Sequence, residues 1–348
     1  MPRIVPNGRC PSTRSRSATA EQLSYHVSML KIAVLDDYHK VSLSLGPWNR
    51  LDGLVEIVAY TEHLGSTSMV ISELQKFDVL VVMRERTPLD QQCLESLPNL
   101  KLIVTTGMEN RSIDMAYARS KGIPVSGTRG GLSNAVELTW GLILSHLRNI
   151  NTEDSNVRNG KWQTTIGRDL YDKTIGLVGL GRTGIRMARV ALAFDMRVLA
   201  WSPHLTPEAA ESTGARYATK KELFLESDIV SIHLQLSDST KGIIGAEDFS
   251  RMKKSALFVN TSRAAIIDQS ALESAVRNNV IAGAALDVFT TEPLPIDDPI
   301  RHLPNSVLTP HIGYVTEGLY TRFFTQIVEN IESFLEGSPT RVLNARIE

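Results

Sequence analysis

Short apolar runs, each bounded by charged residues, glycine or proline, recur through the first third of the chain. They cover 31–37, 54–60, 79–83, 102–105 and 124–126. Inside them apolar side chains follow one another without alternation, the pattern of strands buried on both faces of a parallel sheet. Between them, 88–97 and 113–121 have the apolar spacing of helices. Strands that alternate with helices predict βαβ units and a parallel sheet.

The pattern changes at 133–150, which reads as one long helix. Asn134 is placed to cap its start, and Leu138, Leu142, Ile143, Leu144 and Leu147 supply its buried side. A second alternation follows, with strands at 174–178, 197–201, 229–234, 256–260, 282–287 and 306–308 and a helix at 182–194. A last helix, 317–335, is expected to return to the first unit. The predicted fold class is α/β, with two doubly wound parallel-sheet domains. A Rossmann-type cofactor domain, 133–316 with its linking helix 133–150, is inserted into a flavodoxin-like substrate domain made of 29–132 and 317–348.

The 348 residues suit two domains, each able to bury a core. Lys and Arg total 37 against 38 Asp and Glu, so no long-range field points to nucleic acid or a membrane surface. No apolar run approaches the roughly 18 residues a membrane span needs. Cys10 and Cys93 are the only cysteines and form neither a disulfide framework nor a metal spacing, which fits a reducing compartment such as the cytoplasm. Residues 1–28 differ from the rest: Arg3, Arg9, Arg14 and Arg16 stand among Ser, Thr and Pro with no acid before Glu21. That composition suits a mitochondrial transit peptide, whereas Pro2, Pro6 and Pro11 oppose the helix such peptides form. The reading preferred is a disordered tail, or an over-extended gene model whose translation starts at Met29.

Chemistry enters at Gly179-Leu180-Gly181-Arg182-Thr183-Gly184, a G-x-G-x-x-G loop between a predicted strand and a predicted helix. Gly179 gives the tight turn, Gly181 lets a pyrophosphate approach the backbone, and Gly184 lets helix and strand pack closely. The free N–H groups of the helix start then face the phosphates. Where an acid commonly binds the ribose hydroxyls, this chain has Ser202. Serine removes the repulsion of a 2′-phosphate, and Arg182 and His204 lie within reach, so the expected cofactor is NAD(P)H with NADP favoured over NAD by a small margin.

Farther on, Arg263, Glu292 and His311 follow in order, each beside a small or turn-forming residue near a predicted strand end. A guanidinium fork can hold a substrate carboxylate and polarise the adjacent carbonyl. An imidazolium can donate a proton to the carbonyl oxygen, and a neighbouring carboxylate favours its charged form. Neither H-x-x-x-H spacing nor an acid cluster suggests a metal. His233 reads as a sheet residue, and His26, His39, His63, His146 and His302 as structural or surface residues.

With these phrases, and with Val259-Asn260-Thr261-Ser262-Arg263, Gly283-Ala284-Ala285-Leu286-Asp287-Val288-Phe289, Glu292-Pro293-Leu294 and Leu308-Thr309-Pro310-His311-Ile312-Gly313, the chain resembles the D-isomer-specific 2-hydroxyacid dehydrogenases over nearly all of 31–344. The resemblance implies catalytic roles for Arg263, Glu292 and His311. It also implies that Asp287 lies near the nicotinamide carboxamide and that Thr106, Gly107 and Met108 offer N–H groups to a substrate carboxylate. A homodimer with its active site in the cleft between domains is implied as well. Three positions depart from the family pattern: Ala264 replaces a common glycine, Ser202 the usual acid, and Gln235 a frequent proline. No extra domain is expected after the last helix, so the resemblance to the longer phosphoglycerate dehydrogenases with a C-terminal regulatory domain is partial.

The expected reaction is reduction of a small 2-oxoacid, such as glyoxylate or hydroxypyruvate, to a D-2-hydroxyacid, with His311 as acid and base. An NAD(H)-sensing corepressor-like protein of the same fold is the alternative. Formate dehydrogenase is disfavoured because Glu292 stands where that enzyme has Gln. Arg84 and Arg86 follow a first-domain strand at the end that meets ligands. Either they are structural, or one of them binds a second polar or anionic substrate group, with Tyr314 as an aromatic wall.

Overall fold

Two separate parallel sheets form where the apolar runs predict them. The computed structural model describes residues 29–131 and 133–345, so the expectation for 1–28 lies outside the described residues. The first sheet contains β1 (Leu30–Val34), β2 (Val55–Ala59), β3 (Val79–Val82), β4 (Leu102–Thr105) and β5 (Val125–Ser126), in the order β2-β1-β3-β4-β5. The second contains β6 (Thr174–Val178), β7 (Arg197–Trp201), β8 (Arg216–Tyr217), β9 (Ile229–Ile232), β10 (Leu257–Asn260), β11 (Gly283–Leu286) and β12 (Ser306–Leu308), in the order β12-β11-β10-β9-β6-β7-β8. Every strand pair is parallel. The first order is flavodoxin-like and the second extends the Rossmann order by one strand, so each sheet has a switch point, at β1/β3 and at β6/β9. Loops leaving a switch point in opposite directions open a crevice there.

Helix 317–335 connects the two units. Its Leu319, Tyr320, Phe323, Phe324, Ile327, Val328 and Ile331 pack with Ile32, Val34, Val79, Val81, Leu102 and Val104 of the first sheet. The chain therefore passes His311 and enters the first domain within a few residues. The other crossing is the helix Asn134–Leu147, whose Val136, Trp140, Leu142, Ile143 and Leu147 join the second domain's core with Met187, Ala188 and Ala191. Asn134 does not cap this helix. Ser133 precedes it without a side-chain cap, and Asn134 Nδ2 donates to Thr316 Oγ1 at 2.7 Å. That bond joins the starts of the two crossing helices, a use that local sequence does not signal. The long helix expected over 133–150 also breaks. Asn149 takes a left-handed conformation (φ 53°), and a separate helix, Ile150–Arg158, follows.

Candidate active site

Both sheets point the carboxyl ends of their strands at one cleft. Its main cavity, about 550 Å³, is lined from the first domain by His63, Glu85, Arg86 and Arg111, and from the second by Arg263, Phe289, Glu292 and His311. A second cavity of about 530 Å³ reaches His311 and Glu292 from the side of Tyr38, His39, Leu294 and Leu308.

His311 is a non-glycine residue with φ 53°, a conformation that persists only where its surroundings hold it. Asp287 does so from the end of β11. Its Oδ1 accepts from Thr309 Oγ1 (2.6 Å) and Ile312 N–H (2.8 Å), and its Oδ2 from Gly313 N–H (2.9 Å). Burial dominates this carboxyl and raises its pKa above the usual range, although those three donors and His311 pull the other way. Thus Asp287, expected at a cofactor carboxamide, braces the histidine loop from both flanks.

The His311 ring meets Glu292 with Nδ1 2.6 Å from Oε2. The other Glu292 oxygen accepts from Phe289 N–H at 2.9 Å. Burial opposes the Glu292 charge, but the His311 hydrogen bond and charge, the Phe289 N–H and Arg263 outweigh it and hold the carboxyl below its ordinary value. With Nδ1 engaged, Nε2 is the ring nitrogen left for a ligand. Tyr314 packs edge-on against the ring, its centroid 5.7 Å away.

Arg263 follows β10. The Asn260 side chain straps its loop, donating to the Arg263 carbonyl (3.1 Å) and accepting from Ser262 N–H (3.0 Å). The guanidinium donates to the Ser262 carbonyl at 2.8 Å, and its Nη2 stands 3.4 Å from both Glu85 oxygens across the cleft. Arg263 is extended (φ −142°), and Ala264 is not among the residues of positive φ, so alanine fits where a glycine was expected.

The glycine loop has the geometry of a phosphate cradle. Gly179 has φ +104°, and a Cβ there would lie 2.7 Å from the His233 backbone at the β6/β9 switch point. A Cβ on Gly184 would lie 2.1 Å from the Gly179 carbonyl oxygen, whereas one on Gly181 would meet nothing within 4 Å. The helix Arg182–Ala193 starts with no side-chain cap, so its first N–H groups have no side-chain acceptor among the described residues. Close packing at 179 and 184, with clearance at 181, fits a dinucleotide pyrophosphate. Leu180 packs partly on the core behind the loop, while Arg182 and Thr183 begin the helix beside it. Ser202 directly follows β7. The His233 ring pairs with Ser231 Oγ at 2.9 Å, and removal from water lowers its pKa to about 4.

The expected substrate-binding residues divide. Thr106 N–H donates to the Val82 carbonyl (3.1 Å), and Gly107 N–H to Thr128 Oγ1 (2.9 Å), so both are already committed. The expectation that they meet a carboxylate narrows to Met108, whose N–H has no acceptor among the described residues. Arg84 does not line either cavity. Its guanidinium lies against Gly107 and 5.5 Å from the Tyr314 ring centroid, and its Nε is buried without a described partner. Arg86 reaches both cavities instead. It sits between the rings of Tyr38 (4.4 Å) and Tyr314 (5.6 Å) and donates to the Asp36 carbonyl at 2.9 Å.

Sequence reasoning missed the group around Asp36. This buried carboxylate accepts from Thr87 Oγ1 (2.7 Å) and Tyr38 OH (3.1 Å) and stands 3.2 Å from His63 Nδ1. His63, expected to be structural or on the surface, thereby lines the main cavity. Residues 36, 63 and 87 follow three different strands, so only the strand order brings them together. Gln235 acquires a task as well, donating to Glu109 across the cleft at 2.7 Å. Among the described residues no three metal-ligating side chains converge, and no helix is long and apolar enough to cross a membrane.

Comparison with known proteins agrees with this geometry. Residues 140–313 match the family described as D-isomer specific 2-hydroxyacid dehydrogenase, NAD binding domain. A glyoxylate reductase of Korarchaeum cryptofilum is 34% identical over 290 residues, covering 81% of this chain and 87% of that one. A hydroxypyruvate reductase of Blautia hydrogenotrophica is 31% identical over 327 residues, covering 90% of this chain and all of its own. The crystal structure of a phosphoglycerate oxidoreductase from Vibrio cholerae superposes with a TM-score of 0.85 at 36% identity, covering 89% of this chain and 100% of that one. With two parallel α/β domains and relatives matched along most of their length, the chain belongs to the D-isomer specific 2-hydroxyacid dehydrogenase family.

Proposed function

We propose that the protein reduces a small 2-oxoacid to a D-2-hydroxyacid with a reduced nicotinamide dinucleotide, His311 serving as the acid. The observation that carries this reading is the 2.6 Å contact of His311 with Glu292 on the same cavity wall as Arg263. The bound cofactor supplies the hydride. Arg263 binds the substrate carboxylate and draws electron density from the adjacent carbonyl. His311 Nε2 gives its proton to the carbonyl oxygen as the carbon gains hydride, and ionised Glu292 stabilises the imidazolium before transfer. Oxidation runs the same steps backwards, with neutral His311 as base. Asp287, fully buried with both oxygens engaged, keeps the histidine loop in register.

Ser202 in place of an acid favours NADPH by a small margin, because nothing there repels a 2′-phosphate. A homodimer is supported by the segment after the helix Ile150–Arg158. Trp162 is 77% exposed, Ile166 95% and Tyr171 71%, apolar surface of the kind a second copy covers. The test is oxidation of NADH and of NADPH against a panel of glyoxylate, hydroxypyruvate and pyruvate. Turnover with none of them overturns the assignment.

A further inference from the structure

We propose that Glu85 determines the substrate class. It accepts a hydrogen bond from a neutral donor, such as a hydroxyl, on the carbon beyond the carbonyl, and it repels a second anion there. The inference rests on the reading of Arg263 and His311 as the groups that hold and protonate a 2-oxoacid. Glu85 lies between two arginines in sequence, so its loop looks like an anion site. Those arginines have other partners. Arg84 lies against Gly107 and Tyr314, outside the cavity. Arg86 is flanked by Tyr38 and Tyr314 and bonded to the Asp36 carbonyl. Arg111 lines the cavity but is solvent-exposed.

From this loop the Glu85 carboxylate lines the cavity beside the tyrosine-held Arg86, and it stands 3.4 Å from Arg263 through both oxygens. When the substrate carboxylate takes its place on Arg263, that guanidinium is shared between two anions. A third, on the far end of the substrate, would meet the charge of Glu85, only partly balanced by the shared Arg263, with Arg86 already bonded to the Asp36 carbonyl. Like charges a few ångströms apart in a partly desolvated cleft are strongly unfavourable. A hydroxyl at the same place would instead donate to the carboxylate.

Two measurements on wild type and Glu85→Gln decide the matter. In the first, calorimetry with the oxidised-cofactor complex compares D-glycerate with D-3-phosphoglycerate, which differ only by the distal phosphate. Wild type should prefer glycerate, and Glu85→Gln should move the ratio toward the phosphorylated ligand by at least about tenfold, roughly 1.4 kcal/mol. Glu85→Asp, which keeps the charge, should retain the wild-type preference. In the second, kcat/KM for hydroxypyruvate and for its 3-phosphorylated form should change in the same sense. The idea is overturned if wild type binds phosphoglycerate as tightly as glycerate. It is equally overturned if Glu85→Gln alters both ligands by the same factor, which would make Glu85 only a bridge between domains. A shifted binding ratio in an enzyme that reduces none of glyoxylate, pyruvate, hydroxypyruvate and its phosphorylated form would leave the Glu85 subsite standing and refute the proposed reaction instead.

Discussion

The chemistry depends on how a few side chains are held. Glu292 is a partly buried acid kept ionised by His311, Phe289 N–H and Arg263, and it faces the imidazole at hydrogen-bonding distance. Glu292→Gln keeps the shape and removes the charge that favours imidazolium. The pH at which reduction fails as the solution becomes more alkaline should therefore fall, read from kcat/KM against pH, and an unmoved limb would separate Glu292 from the proton transfer. That Arg263, Glu292 and His311 share one cavity was legible because turn residues and strand ends surround each in sequence. Glu85, His63 and Arg111 were not, since each reaches the cavity only through strand order. Arg84 and Arg86 show the limit of reading from a loop: sequence places both at the correct end of β3 but cannot say which guanidinium the tyrosines hold at the cleft.

Among the elements, β6, β7 and β12 coincide with their predicted ranges because their apolar runs end sharply at glycine, serine or threonine. The two-residue strand β8 has no apolar run to announce it, and the break at Asn149 falls inside a stretch of even helical composition. The end of β9 carries a pH dependence of its own. His233 has its pKa lowered from 6.5 to about 4 by loss of water, so below pH 6.5 the unfolded chain binds a proton that the folded chain refuses. Stability from this group is complete above the unfolded pKa and falls as pH drops toward the folded one. Urea unfolding at about pH 7 and about pH 5 should show a larger loss for wild type than for His233→Asn. Equal losses would remove His233 from the acid response.

At the scale of the molecule, two doubly wound domains place their switch points face to face, and both crossings run beside the site. The sequence made this nesting legible through the change of pattern at 133 and the long helix after His311. It gave less on assembly, since exposure of Trp162, Ile166 and Tyr171 depends on where the segment lies and not on its composition. If that surface is the contact between copies, Ile166→Asp should lower the mass measured by light scattering from dimer toward monomer. A dimer of undiminished stability would place the contact elsewhere.

In the proposed reaction His311 supplies the proton when hydride reaches a 2-oxoacid bound by Arg263. Its most direct test is turnover of hydroxypyruvate by wild type and His311→Asn, with affinity for the reduced dinucleotide measured on the same preparations. Wild type should turn over, and the variant should lose about 10²–10⁴-fold, the range for a general acid, with cofactor affinity unchanged. Near-normal turnover in His311→Asn would contradict it.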